Sequence, residues 1–104
     1  MSLNLREKKY CNKVEEITAS DLASSLYNIA VPIYVGVSGD IRAILAGVSD
    51  SEAISGTALA SGVATLFKNA QQGSCLGGDI PILVKAVFST DTTATHLLKL
   101  LEDR

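Results

Sequence analysis

The chain has 104 residues, 47% of them hydrophobic and 19% charged, with a formal net charge of −2. That length predicts one domain, able to bury about two-thirds of its unfolded surface and so to hold a core without staples. The charged fraction is too low for a disordered chain, and the slightly acidic balance argues against a protein that neutralises many phosphates. No run approaches the about 18–20 uninterrupted apolar residues of a membrane span, so neither nucleic acid nor membrane is an expected partner.

Charge is unevenly spread. Residues 1–16 carry seven charged side chains, Arg6, Glu7, Lys8, Lys9, Lys13, Glu15 and Glu16, whereas residues 17–101 carry ten. Residues 1–17 therefore read as a charged N-terminal tail, with no apolar stretch where a signal peptide needs one. Residues 18–104 read as a single β-rich domain. Its surface, poor in Lys and Glu and rich in Ser and Thr, suits a protein–protein contact as well as it suits a merely hydroxyl-rich domain.

Thr18-Ala19-Ser20-Asp21 is a loose capping pattern, and Leu22, Leu26 and Ile29 follow at helical spacing, which predicts a short helix over 19–28. Ile33-Tyr34-Val35-Gly36-Val37 is β-branched and aromatic and reads as a strand. Ser38-Gly39-Asp40 is a turn signal and Ile41–Ala46 a second run, so a hairpin is expected from Ile33 to about Leu45. Residues 48–62, small and polar, read as an insertion loop. Val63–Lys68 is a third strand candidate, with Val63, Thr65 and Phe67 on one face. Asn69–Asp79, rich in glycine, reads as a long flexible connection. Ile80–Ser89 has the strongest alternation, placing Ile82, Val84, Ala86 and Phe88 on one side and Leu83, Lys85 and Val87 on the other. In Ala94–Leu101 the leucine spacing favours helix, while the β-branched residues before it favour a strand.

Little catalytic chemistry is available. His96 is the single histidine and lies in an apolar run, and Cys11 and Cys75 stand far apart and read as reduced thiols. Three soft ligands fall short of a structural zinc site, and neither a nucleotide-binding glycine pattern nor a nucleophile elbow is present. The aspartates Asp40, Asp50, Asp79 and Asp91 sit beside turn residues, where capping of turn backbone is the ordinary role. The expectation is a protein without catalytic residues, metal or cofactor.

The order of three fragments resembles the head-spike base proteins, small structural proteins of tailed phages and gene transfer agents. The fragments are Ile33-Tyr-Val-Gly-Val-Ser-Gly-Asp40 running into Ile41–Gly47, then Leu66-Phe-Lys-Asn69 with Gly73 after it, then Ile82–Thr90 running into Thr92-Thr-Ala-Thr95 and a Leu-rich close. Ser20-Asp21-Leu22 is similar to the polar-acidic segment before the family's hairpin. The resemblance implies an all-β fold, a small antiparallel β-sandwich or barrel-like domain with a short N-terminal helix. It also implies that Ala94–Leu101 is a strand, against its leucine spacing. Structural turn positions follow from it at Gly36, Gly39, Asp40, Asn69, Gly73, Thr92, Thr93, Ala94 and Thr95. The chain departs from the pattern by the insertion at 48–62 and by a longer stretch after Ala70.

The function so implied is that of a non-enzymatic virion subunit, made in the bacterial cytoplasm. Its partners are other copies of itself in a pentamer or trimer, a capsid vertex, and a spike or fibre. The alternative is a small carbohydrate- or receptor-binding β-domain using Tyr27 or Tyr34, although the chain has no tryptophan to stack on a sugar.

Overall fold

β-Branched and aromatic side chains are concentrated in Ile33–Val37, whereas the strand at 95–101 is built largely of leucine. The computed structural model describes residues 13–78 and 80–101. Its strands are β1 (Lys13–Glu16), β2 (Ile33–Val37), β3 (Gly39–Leu45), β4 (Ile54–Ser55), β5 (Ala58–Leu59), β6 (Thr65–Ala70), β7 (Val84–Val87) and β8 (Thr95–Leu101). One helical turn, α1 (Asp50–Ala53), lies between β3 and β4. All ladders are antiparallel, in the orders β1-β8-β2, β6-β3-β7 and β4-β5. The fold is a small all-β domain.

The two three-stranded sheets share one core. Ile33, Val35 and Leu97 come from the first sheet, Ile41, Ala43, Val84 and Val87 from the second, and Val31, Leu76 and Ala94 close it. Ile33, Val35, Ile41 and Val84 are completely buried, and each such side chain contributes about 1.5–3 kcal/mol relative to exposure. Val31, just before β2, exchanges two backbone hydrogen bonds of 2.9 Å with Val84 and so links the sheets. A second cluster, Ile44, Ala53, Leu59, Ala86 and Phe88, lies on the other face of β3 and β7.

Several expectations need correction. β2 and β3 do not form a hairpin: only Ser38 separates them, and the chain changes sheets there, β2 pairing with β8 and β3 with β6 and β7. A turn needs residues in which to reverse direction, and here the chain instead rounds a corner. The helix expected over 19–28 shrinks to a 3-10 turn at Ala23–Ser25, leaving Leu22 and Ile29 exposed. The backbone of that segment is drawn to β7 instead, with Ser20 N–H donating to Val87 O and Tyr27 N–H to Lys85 O.

Residues 48–62 are packed structure. Ser49 caps α1 with Glu52 in a reciprocal capping box, β4 and β5 pair, and Ala53 and Leu59 are buried in the second cluster. The stretch 69–78 is likewise held. Ser74 O and Gly73 N–H bond the backbone of Val35, and Leu76 N–H bonds Ile33 O, which buries Leu76.

β6 begins at Thr65 rather than Val63, and Val63 and Phe67 pack against different clusters. β7 is confined to four residues, with Ile80 and Leu83 exposed before it. The adjacent residues Val87 and Phe88 are both buried, Val84 and Val87 in the first core and Ala86 and Phe88 in the second, so simple alternation fails around a register shift. β1 extends order into the charged segment read as a tail, and Lys13–Glu16 pair with β8. Cys11 and Asp79 lie outside the described residues, and Cys75 carries a free thiol. β8 forms at Thr95–Leu101, the strand that the resemblance implies.

Candidate functional site

The start of β3 and the turn leading into β8 dock tightly on each other. Gly39 makes the approach possible: a Cβ there would lie 2.5 Å from Ala94 N and 2.8 Å from Thr93 Oγ1, closer than any side chain tolerates. Asp40 then binds the turn through its backbone. Its N–H donates to Thr93 Oγ1 at 2.8 Å, and its carbonyl accepts from the N–H groups of Thr93 and Ala94. One step along, Arg42 N–H donates to Thr92 Oγ1 at 3.0 Å.

The Asp40 side chain ties in the end of β6. It accepts from Asn69 N–H at 3.0 Å and faces Lys68 Nζ at 3.5 Å, where Asn69 takes a left-handed conformation with φ 55°. The Asn69 N–H first, and the Lys68 charge after it, hold the Asp40 carboxyl below the usual carboxylate value.

Asp21 grips the same turn from the opposite side. Its carboxylate accepts from Ser89 N–H, Thr90 N–H and the Thr90 hydroxyl, and its backbone carbonyl accepts from Leu59 N–H. The Thr90 hydroxyl is the main cause that keeps its carboxyl low. Arg42 crosses between these pieces, donating to Asp91 at 2.6 Å and to Ser61 O at 3.0 Å, with its guanidinium 5.6 Å from the Phe88 ring centre. Its Nε–H has no partner and is buried beside a cavity of about 180 Å³ lined by Asp21, Leu59, Ser61, Phe88 and Thr90.

Six of the nine motif positions thus meet in one corner: Gly39, Asp40, Asn69, Thr92, Thr93 and Ala94. Gly36 and Thr95 lie nearby on the β2–β8 seam, where Val37 pairs with Thr95. Gly73 stands apart on the other edge of β2, donating to Val35 O. Sequence reasoning missed Arg42 and Ser61, because a single arginine between apolar residues carries no pattern, and missed the distance over which Asp21 acts. The alternation of Asp40 and Arg42 with buried Ile41 and Ala43 does place both side chains off the main core. Most of the corner's polar groups bond turn backbone or one another, and so brace the turns against each other. Among the described residues, no three His, Cys, Asp or Glu side chains converge as a metal site would require. No helix among them is long and apolar enough to cross a membrane.

A polar cleft of about 410 Å³ lies at the other end of the first sheet, lined by Glu16, Thr18, Ser25, Tyr27, Asn28 and Lys99. Lys99 Nζ sits 3.9 Å over the Tyr27 ring and 3.4 Å from Glu15. Burial pushes the Tyr27 phenol up to about 12. Lys99 thus covers one face of the Tyr27 ring, while Tyr34 is half-buried opposite Leu98. Comparison with family models, curated proteins and solved structures gave no match to this chain.

Proposed function

We propose that this chain is a non-enzymatic structural subunit of a phage or prophage particle, a head-spike base or decoration protein. In this reading copies assemble into a closed pentamer or trimer at a capsid vertex and hold a spike or fibre above it. The observation that carries it is the corner at Gly39, Asp40 and Thr92–Ala94. Six of the nine positions carried by the resemblance fall together there and fix turn backbone, as motif residues of a scaffold should. A surface poor in Lys and Glu over residues 17–101 supports an assembly role.

The polar cleft at Tyr27 and Lys99 favours a second reading, a carbohydrate-binding domain. Occupation of the Tyr27 ring by Lys99 weighs against it. Light scattering over a range of concentrations tests the first: a discrete trimer or pentamer is expected, and a monomer throughout overturns it. Binding of a glycan array by that monomer would establish the second.

A further inference from the structure

The isolated Val31–Val84 bridge, just before β2, links the sheets β1-β8-β2 and β6-β3-β7, so that they line up in an order with β1 and β6 outermost. Such an order has two ends, and no ladder among the described residues joins them. On β1, the residues facing outward follow from β8: Leu100 N–H donates to Pro32 O, on the β2 side, so Val14, which lies opposite Leu100, turns its own N–H and C=O away. By alternation Glu16 does the same, while Ile17 N–H reaches back to Leu97 O.

The β6 end is equivalent. Arg42 uses its N–H on Thr92 and its C=O on Phe88 N–H, both on the β7 side, so Leu66, opposite Arg42, presents both groups to the open edge. Edge strands are usually guarded by bulges and charges. Here the bulge, with Lys68 and Asn69 together facing Asp40, guards only the end of β6 and leaves Thr65–Phe67 plain.

The two edges are complementary. Val14 is 54% and Leu66 42% exposed, whereas Phe67 and Ala70 of β6 pack against the core. β1 carries Glu15 and Glu16 against one lysine, and β6 carries Lys68, which is 70% exposed, and no acid. We propose that β1 of one copy adds antiparallel to β6 of the next, Glu16 opposite Leu66. The Glu16 carboxylate then lies diagonal to Lys68, within reach of long side chains. The contact uses different patches on its two sides, so it is heterologous and closes a ring when the rotation allows. This rests on the self-assembly reading above and names its interface.

The test is light scattering on wild-type protein, Leu66→Pro, Lys68→Glu and the double variant Glu16→Lys/Lys68→Glu, with hydrogen exchange on the wild type. Proline at 66 removes an outward N–H and leaves the β3 ladder intact, so the expected result is a folded monomer. Lys68→Glu is expected to weaken assembly about five-fold and the double variant to restore it. Slow exchange at Leu66 and Glu16 in the oligomer, absent on dilution to monomer, gives the same answer without a variant. A monomeric wild type overturns ring and interface together. An oligomeric wild type with exchange at Leu66 and Glu16 still fast, or with Lys68→Glu assembling as before, overturns the interface alone.

Discussion

Gly36 and His96 face each other across the β2–β8 ladder, between the pairs Val35–Leu97 and Val37–Thr95, and His96 is in the left-handed conformation at φ 54°. That conformation turns the His96 backbone into the space a side chain on residue 36 would fill. A Cβ at Gly36 would stand 2.4 Å from His96 O and 2.6 Å from His96 Cβ. The His96 side chain is exposed, and it is the backbone beneath it that packs on Gly36.

Gly36→Ala is therefore expected to destabilise the domain by about 1–3 kcal/mol, the usual cost of forcing atoms into a packed site. Gly47→Ala, with nothing within 4 Å of the new Cβ, should change stability by less than about 0.5 kcal/mol. Urea denaturation of both variants checks this, and equal midpoints would disprove the steric account.

Strand positions were mostly legible because Ile33–Val37, Ile41–Leu45 and Val84–Val87 carry β-branched residues in short runs. Pairing was not. The Ser38-Gly39-Asp40 signal is equally compatible with a hairpin and with a corner, and the deciding partners, Thr95–Leu101 and Thr65–Ala70, are distant in sequence. Packing of 48–62 was hidden for another reason. Its core contribution is Ala53 and Leu59, and one alanine and one leucine among serines and glycines have no periodicity to detect. The corner was partly legible, since Asp40 and Thr92–Ala94 stood out as turn residues, but nothing local shows that one turn binds the other.

The second cluster makes the segment at 48–62 part of the folding unit. Leu59, 4% exposed, packs with Ile44, Ala86 and Phe88, so Leu59→Ala is expected to cost about 2–4 kcal/mol. Ser49→Ala, which breaks the capping box, should cost about 1 kcal/mol. Denaturant titration measures both. A Leu59→Ala cost within error of zero would return the segment to the status of a free loop.

Acid should loosen the corner. The carboxyls of Asp21 and Asp40 are both held below 3.8 in the folded protein, chiefly by the Thr90 hydroxyl and the Asn69 N–H. Well above that value both groups are ionised whether folded or not, and their stabilisation is fully present. As pH falls below it the unfolded chain takes up protons first, so stability declines and the contribution is gone below the folded values. Asp21→Asn is expected to lower stability at neutral pH and to flatten the decline below pH 4. Thermal melts at pH 7 and pH 3 check the sign, and an unchanged slope in the variant would refute Asp21's part.

Two proline substitutions, one in β8 and one in β6, make the sharpest contrast. Leu98 lies in the central strand of β1-β8-β2, opposite both Glu16 and Tyr34, and shares the orientation of Leu100, whose N–H donates to Pro32 O. Its N–H therefore belongs to the ladder with β2, and Leu98→Pro removes that bond from the middle of the sheet. The expected cost is about 3 kcal/mol or more, a large part of the about 5–15 kcal/mol that holds a domain of this size. At about 4–8 °C per kcal/mol, the melting temperature should fall by more than about 12 °C, or folding should fail outright. Leu66→Pro, on an edge with its N–H outward, should melt within a few degrees of wild type. Circular dichroism melts of the two variants side by side decide the matter. If Leu98→Pro melts with the wild type, residues 95–101 are not the central strand, and the helical spacing of their leucines was the better guide.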